Sequence, residues 1–108
     1  MINRNTAYFY NGQIVYALMS AMDDAKAGDI EGCNRLRDIA TEFLAKLADV
    51  VAKDPALQKE ATELRQLGGA ATTTNFADLD KVQELQRGYS EIKRRCNEHY
   101  FDYILPSA

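Results

Sequence analysis

Any catalytic or metal-binding chemistry built on imidazole must pass through His99, because it is the single histidine among 108 residues. Cys96 precedes it by three positions, on a neighbouring face if the segment is helical. A thiolate–imidazole pair would make a nucleophile, but it also needs an orienting third group and backbone donors for the oxyanion. Amides in the middle of a helix are already hydrogen-bonded, so none is free beside Cys96. Cys96 therefore reads as a core-filling thiol. Metal ligation fares no better. Cys96, His99 and Asp102 follow at steps of three, and each step drifts about 60° around a helix, so only two of them converge. A di-iron bundle wants Glu-x-x-His on two helices, whereas the residue three before His99 is cysteine.

Other chemistries are tested in the same way. Covalent haem is excluded by the absence of Cys-x-x-Cys-His. Axial Met–His ligation needs a methionine level with His99. In an antiparallel bundle that level holds Tyr8, Phe9 and Tyr10, while Met19 and Met22 lie roughly 15 Å or more along the helix. Only Met1 would reach. Glu60 and Glu63 supply the Glu-x-x-Glu half of an all-α pyrophosphatase magnesium site, but no Glu-x-x-Asp follows. Both are expected as solvated charges beside an apolar stripe. Phosphate loops, dinucleotide fingerprints and His-Glu-x-x-His are missing. The expectation is a non-enzyme without cofactor or metal.

Four segments must position whatever remains. The first begins at about Thr6 or Asn11 and stops at Gly28, with Ile14, Leu18, Met22 and Ala25 on one face and Val15 and Met19 beside them. Here the sequence supports a rival. Asn11-Gly12 between aromatic and β-branched residues is also a hairpin signal, although no later segment offers a third strand. Asn11 as a helix cap is a compromise. Asp29 caps a second helix whose stripe is Ile30, Cys33, Leu36, Ala40, Phe43, Leu47 and Val50, reaching about Lys53. Asp54-Pro55 reads as a cap with proline at the first helical position. A third, shorter stripe of Leu57, Ala61, Leu64 and Leu67 follows, ended by Gly68-Gly69. Ala70 to Asn75 is the expected loop. Asn75 or a preceding threonine then caps a long fourth helix with Leu79, Val82, Leu85, Tyr89, Ile92, Cys96, Tyr100 and Tyr103 inward, closed by Pro106.

These spans (about 6–27, 30–53, 55–67 and 76–104) predict one all-α domain, an antiparallel up-down bundle of about four helices with the third short. The alternatives are an α+β fold with the Asn-Gly hairpin, or an α-solenoid-like helix-pair fragment. Two helices past 20 residues and the lack of a second copy speak against the solenoid. On this topology Cys33 and Cys96 lie some 20 Å or more apart along parallel helices, beyond disulfide reach. Gly12, Gly32 and Gly88 fall inside helices at about 1 kcal/mol each against alanine, and Gly88 is compatible with a close helix approach.

Composition bounds the partners. An apolar fraction of 46% against 27% charged residues describes a folded globular chain. The net charge of −3 disfavours nucleic acid and anionic membrane. No apolar run approaches the roughly 18 residues of a membrane span, and no signal segment opens the chain, so a cytoplasmic location is the default. Six of the ten aromatics (Tyr8, Phe9, Tyr10, Tyr100, Phe101 and Tyr103) lie in the two terminal segments, which antiparallel packing brings to one end. Neighbouring aromatics on a helix point about 100° apart, so part of this set faces outward or plugs the open end. Lys93-Arg94-Arg95 is interleaved with Glu91, Glu98 and Asp102, a pattern of intrahelical ion pairs more than of phosphate binding.

The preferred expectation is a small protein–protein interaction module: an adaptor, inhibitor, chaperone-like or regulatory subunit. It would bind another protein through Tyr8, Phe9, Tyr10, Tyr100, Phe101 and Tyr103, with Arg94 and Arg95 at the rim, and a homodimer is possible on the leftover apolar stripe. A ligand, haem or metal binder using the bundle interior around His99, Cys96 and Tyr89 is the alternative. A nucleic-acid-binding regulator acting through Lys93–Arg95 ranks third.

Overall fold

The computed structural model describes residues 4–100, with side chains through Glu98. Within them the chain forms four helices and no strand: α1 (Arg4–Ala27), α2 (Ile30–Val51), α3 (Gln58–Thr73) and α4 (Leu79–Tyr100). The all-α bundle expected from the apolar stripes is the observed fold.

The hairpin is overturned in α1, which runs without a break through Asn11-Gly12. Asn11 neither turns nor caps the chain. Its side chain is buried on the same face as Ala7, Ile14, Leu18 and Ala21, and its Oδ1 accepts a hydrogen bond from the Tyr89 hydroxyl at 2.6 Å. A helical register that buries four apolar residues and satisfies one amide outweighs the local turn preference of Asn-Gly. α1 ends where glycine was expected to end it. Gly28 adopts φ +75°, a left-handed conformation that costs glycine little, and Asp29 N–H donates to Asp24 O while Gly28 N–H donates to Ala25 O.

The next two boundaries also follow local chemistry. Asp29 Oδ1 accepts from Gly32 N–H at 2.9 Å, capping α2. The stripe of α2 is rotated slightly from the expected one: Leu44 and Val51 sit at its centre, Phe43 is half-buried, and Ile30 is exposed. Asp54 caps a single 3₁₀ turn, Pro55–Leu57, by accepting from Ala56 N–H. Gln58 Nε2 then donates to the carbonyls of Ala52 and Asp54, satisfying acceptors left at the end of α2.

Two expectations fail at the third connection. Gly68-Gly69 does not end α3, which continues to Thr73. Gly68 is buried against α2, where an added Cβ would sit 3.4 Å from Leu44 Cβ and 3.9 Å from the Ala45 nitrogen. These are ordinary van der Waals distances, so Gly68 is a mid-helix residue inside the α2/α3 seam and not a helix stop. Hydroxyls finish the helix instead, Thr72 donating to Gly68 O and Thr74 to Ala70 O. The fourth helix starts at Leu79, three residues later than expected, because Asp78 and not Asn75 is its cap: Asp78 Oδ1 accepts from the Asp80 and Lys81 amides. Phe76, expected on that helix, lies in the loop with no exposed surface and joins the core.

Consecutive helices pack antiparallel and α4 returns to α1, closing a ring that an open solenoid would lack. Each seam has a marker. Phe9 meets Phe43 edge-on across α1/α2, and Arg65 pairs with Asp49 across α2/α3. Gly88 lies under Leu67 across α3/α4, and Asn11 bonds Tyr89 across α4/α1. The enclosed core includes Ile14, Leu18, Leu44, Leu47, Leu64, Phe76 and Val82. Each such side chain contributes about 1.5–3 kcal/mol relative to exposure.

Candidate interaction surface

An ordinary bundle helix turns an apolar stripe inward and charges outward. α4 obeys this: Leu85, Tyr89, Ile92 and Cys96 are buried, while Glu84, Arg87, Glu91, Arg94 and Glu98 face solvent. α1 does not. Its residues 5–22 carry no charged side chain at all, so apolar groups occupy the outward arc as well as the inward one. Tyr8, Phe9, Tyr16 and Met19 are each at least half exposed, at 59, 54, 55 and 50%. Among the described residues the one other exposed large hydrophobic is Ile30, at the first position of α2.

The aromatic set predicted from the termini divides on the structure. Tyr8 lies exposed on the outer arc. Phe9 packs at 5.9 Å against both Tyr10 and Phe43, and Tyr10 is half-buried at 5.6 Å from Phe43. Tyr10 thus helps close the α1/α2 seam, while Phe9 does both jobs. Phe101 and Tyr103 lie outside the described residues, as do the side chains of His99 and Tyr100. Sequence reasoning missed Tyr16, two turns further along, and set Met19, three turns along, beside the inward stripe, whereas half of its surface is exposed. The signal was present as an 18-residue run without charge, too polar to cross a membrane but too apolar for a solvated outer face. Among the described residues, no helix is long and apolar enough to cross a membrane.

The basic triplet is distributed over three different environments. Arg94 lies between Glu91 and Glu98 on its own helix, the intrahelical pairing expected of it. Arg95 reaches across to α3, where it bonds Glu60 at 3.1 Å and both oxygens of Glu63. Glu60 is buried by this contact, which corrects its expected role as a solvated charge. The Arg95 hydrogen bond also holds the Glu63 carboxyl below its ordinary pKa. Lys93 lies over the ring of Tyr89, 6.0 Å from its centroid. With two guanidiniums engaged by carboxylates, the triplet is no continuous cationic patch.

The interior around Tyr89 and Cys96 is packed and chemically quiet. Cys33 and Cys96 are free and buried. Burial pushes the Cys96 thiol up to about 12 and raises Cys33 and Tyr89 as well, so all three are held in their neutral forms. Among the described residues no three His, Cys, Asp or Glu side chains are placed to share a metal ion. No protein-family model matches the chain, and no curated protein or solved structure matches it either.

Proposed function

We propose that this chain is a protein–protein interaction module whose contact surface is the outward arc of α1, with Tyr8, Tyr16 and Met19 as anchors and Phe9 at its edge. The observation that carries the reading is the pairing of two facts: four large apolar side chains exposed on one helix, and no charge on that helix between Arg4 and Asp23. Tyrosine and methionine supply large, adaptable contact area, and isolated exposed apolar groups would need no explanation where a contiguous set does. The surface extends the aromatic end anticipated from the sequence along the length of the first helix. Arg94 and Arg95 then act as supports of α4 and of the α3/α4 seam, with Arg94 exposed enough to meet a partner at a rim.

Site-specific photo-crosslinking in the native host tests this. A benzophenone side chain placed at Tyr16 is expected to trap one discrete protein adduct, and the same group at Arg87 on the outside of α4 is expected to trap none. Adducts from position 87 and none from position 16 would overturn the assignment.

A further inference from the structure

Grooves lined by described residues run between the helices. The one between α1 and α2 is lined by Asp23, Asp24 and Arg35, so both signs of charge are supplied from within. The groove between α3 and α4 holds Arg95, which Glu60 and Glu63 already engage. The groove between α1 and α4 is different. Its walls are Val15, Leu18 and Met19 from α1 and the ring of Tyr89, and its volume is about 210 Å³. Its rim is Gln86, Ser90 and Lys93, spaced i, i+4 and i+7 so that three hydrogen-bond donors share one face of α4. Among the described residues no carboxylate lines it.

Lys93 is the unusual member of that rim. It is the one lysine among the described residues that is not exposed, and none of the described carboxylates lies within ion-pair distance of it. A lysine normally lays its stem on apolar surface and keeps its ammonium in water. Here the ammonium is drawn over Tyr89 and partly desolvated, which lowers its pKa; among the described residues a ring face is what compensates the cation. The groove thus combines an apolar trough with room for about seven water volumes, two neutral donors, and one under-compensated positive charge at its mouth.

We infer that the α1/α4 groove binds a small aliphatic carboxylate, its chain lying on Val15, Leu18 and Met19 and its head group held by Lys93 with Ser90 and Gln86. The carboxylate supplies the charge that the groove lacks, and the chain covers apolar wall that water otherwise wets. A neutral molecule of the same length gains the second contribution without the first. This inference stands apart from the protein-partner reading: the groove and the outer arc share Met19 alone among their anchors.

The test is a titration of the ¹⁵N-labelled protein with octanoate and, separately, octanamide, followed by amide chemical shifts. Octanoate is expected to give saturable shifts clustered at Val15, Met19, Ser90 and Lys93, and to bind at least tenfold tighter than octanamide. Lys93→Gln is expected to bring the two ligands to equal affinity while leaving octanamide unchanged. Ser90→Phe, which fills the trough, is expected to remove both, with circular dichroism confirming that each variant is folded. Absence of saturable octanoate shifts overturns the inference. So does equal binding of acid and amide by the wild type, or an octanoate preference that survives Lys93→Gln.

Discussion

The first and last helices of this bundle bury similar stripes and meet at the Asn11–Tyr89 hydrogen bond, yet they present opposite outsides. α4 dresses its outer face with Glu84, Arg87, Glu91, Arg94 and Glu98, whose charges hold it in water and pair along the helix. α1 offers Tyr8, Gly12, Tyr16 and Met19. An inward stripe identifies the face that folds the chain and says little about the other face. The outward arc must be judged by the charges it lacks. By that criterion α4 is complete as a solvent-facing helix and α1 is not.

Substitutions sharpen the comparison. The largest effect is expected away from both outer faces, at Phe76, which fills the core from a loop. Phe76→Ala should cost about 3–5 kcal/mol in urea unfolding, as much as truncating a helical core residue. A loss below about 1 kcal/mol would mean that the loop is not part of the cooperative unit.

Next in size are the polar ties of α4 to its neighbours. Tyr89→Phe leaves the Asn11 oxygen buried without its donor and should cost about 1–3 kcal/mol. Arg95→Ala strands buried Glu60 and releases Glu63. Because the cluster is only partly enclosed, about 1–2 kcal/mol is expected, between an exposed pair and a fully buried one. The pH dependence has a definite sign. Glu63 is depressed in the folded state from its ordinary 4.5, so its contribution is fully present above that value. It is lost as pH falls from there through the lower folded-state pKa. Wild type should therefore lose stability more steeply than Arg95→Ala below about pH 4.5. Parallel acid profiles would show that the Arg95–Glu63 contact is absent in solution.

The smallest stability effects are expected on the outer faces, where Tyr16→Glu, Met19→Glu and Arg94→Ala should each stay within about 0.5 kcal/mol of wild type. Protection of the cysteines offers an independent check of the shared core. With its thiol pushed up to about 12, Cys96 should resist iodoacetamide at pH 8 in the native state and react only on unfolding. Rapid native-state alkylation would place Cys96 outside the core.

Much of this fold was legible because it is local. Asp29, Asp54-Pro55 and Gly28 mark boundaries through side chains and φ angles that depend on a few neighbours. The buried stripes follow from helical periodicity. What escaped depends on the element opposite. Gly68 reads as a helix stop until α2 is seen pressing against it, and Glu60 reads as solvated until Arg95 arrives from 35 residues away. Phe76 looks like the start of a helix because its anchorage in the core is tertiary. For the candidate surface, the aromatics at Tyr8 and Phe9 were visible by type. Tyr16 and Met19 were hidden because each sits singly in a pattern that also accommodates a core face.

The most direct test of the α1 surface compares partner affinity for three proteins: wild type, Tyr16→Glu/Met19→Glu, and Glu84→Ala/Arg87→Ala, using the protein trapped by the crosslinker at position 16. If the outer arc of α1 is the interface, the first variant loses at least a hundredfold in affinity and the second changes by less than threefold, with both as stable as wild type. A loss confined to the α4 variant, or equal losses in both, would contradict the account.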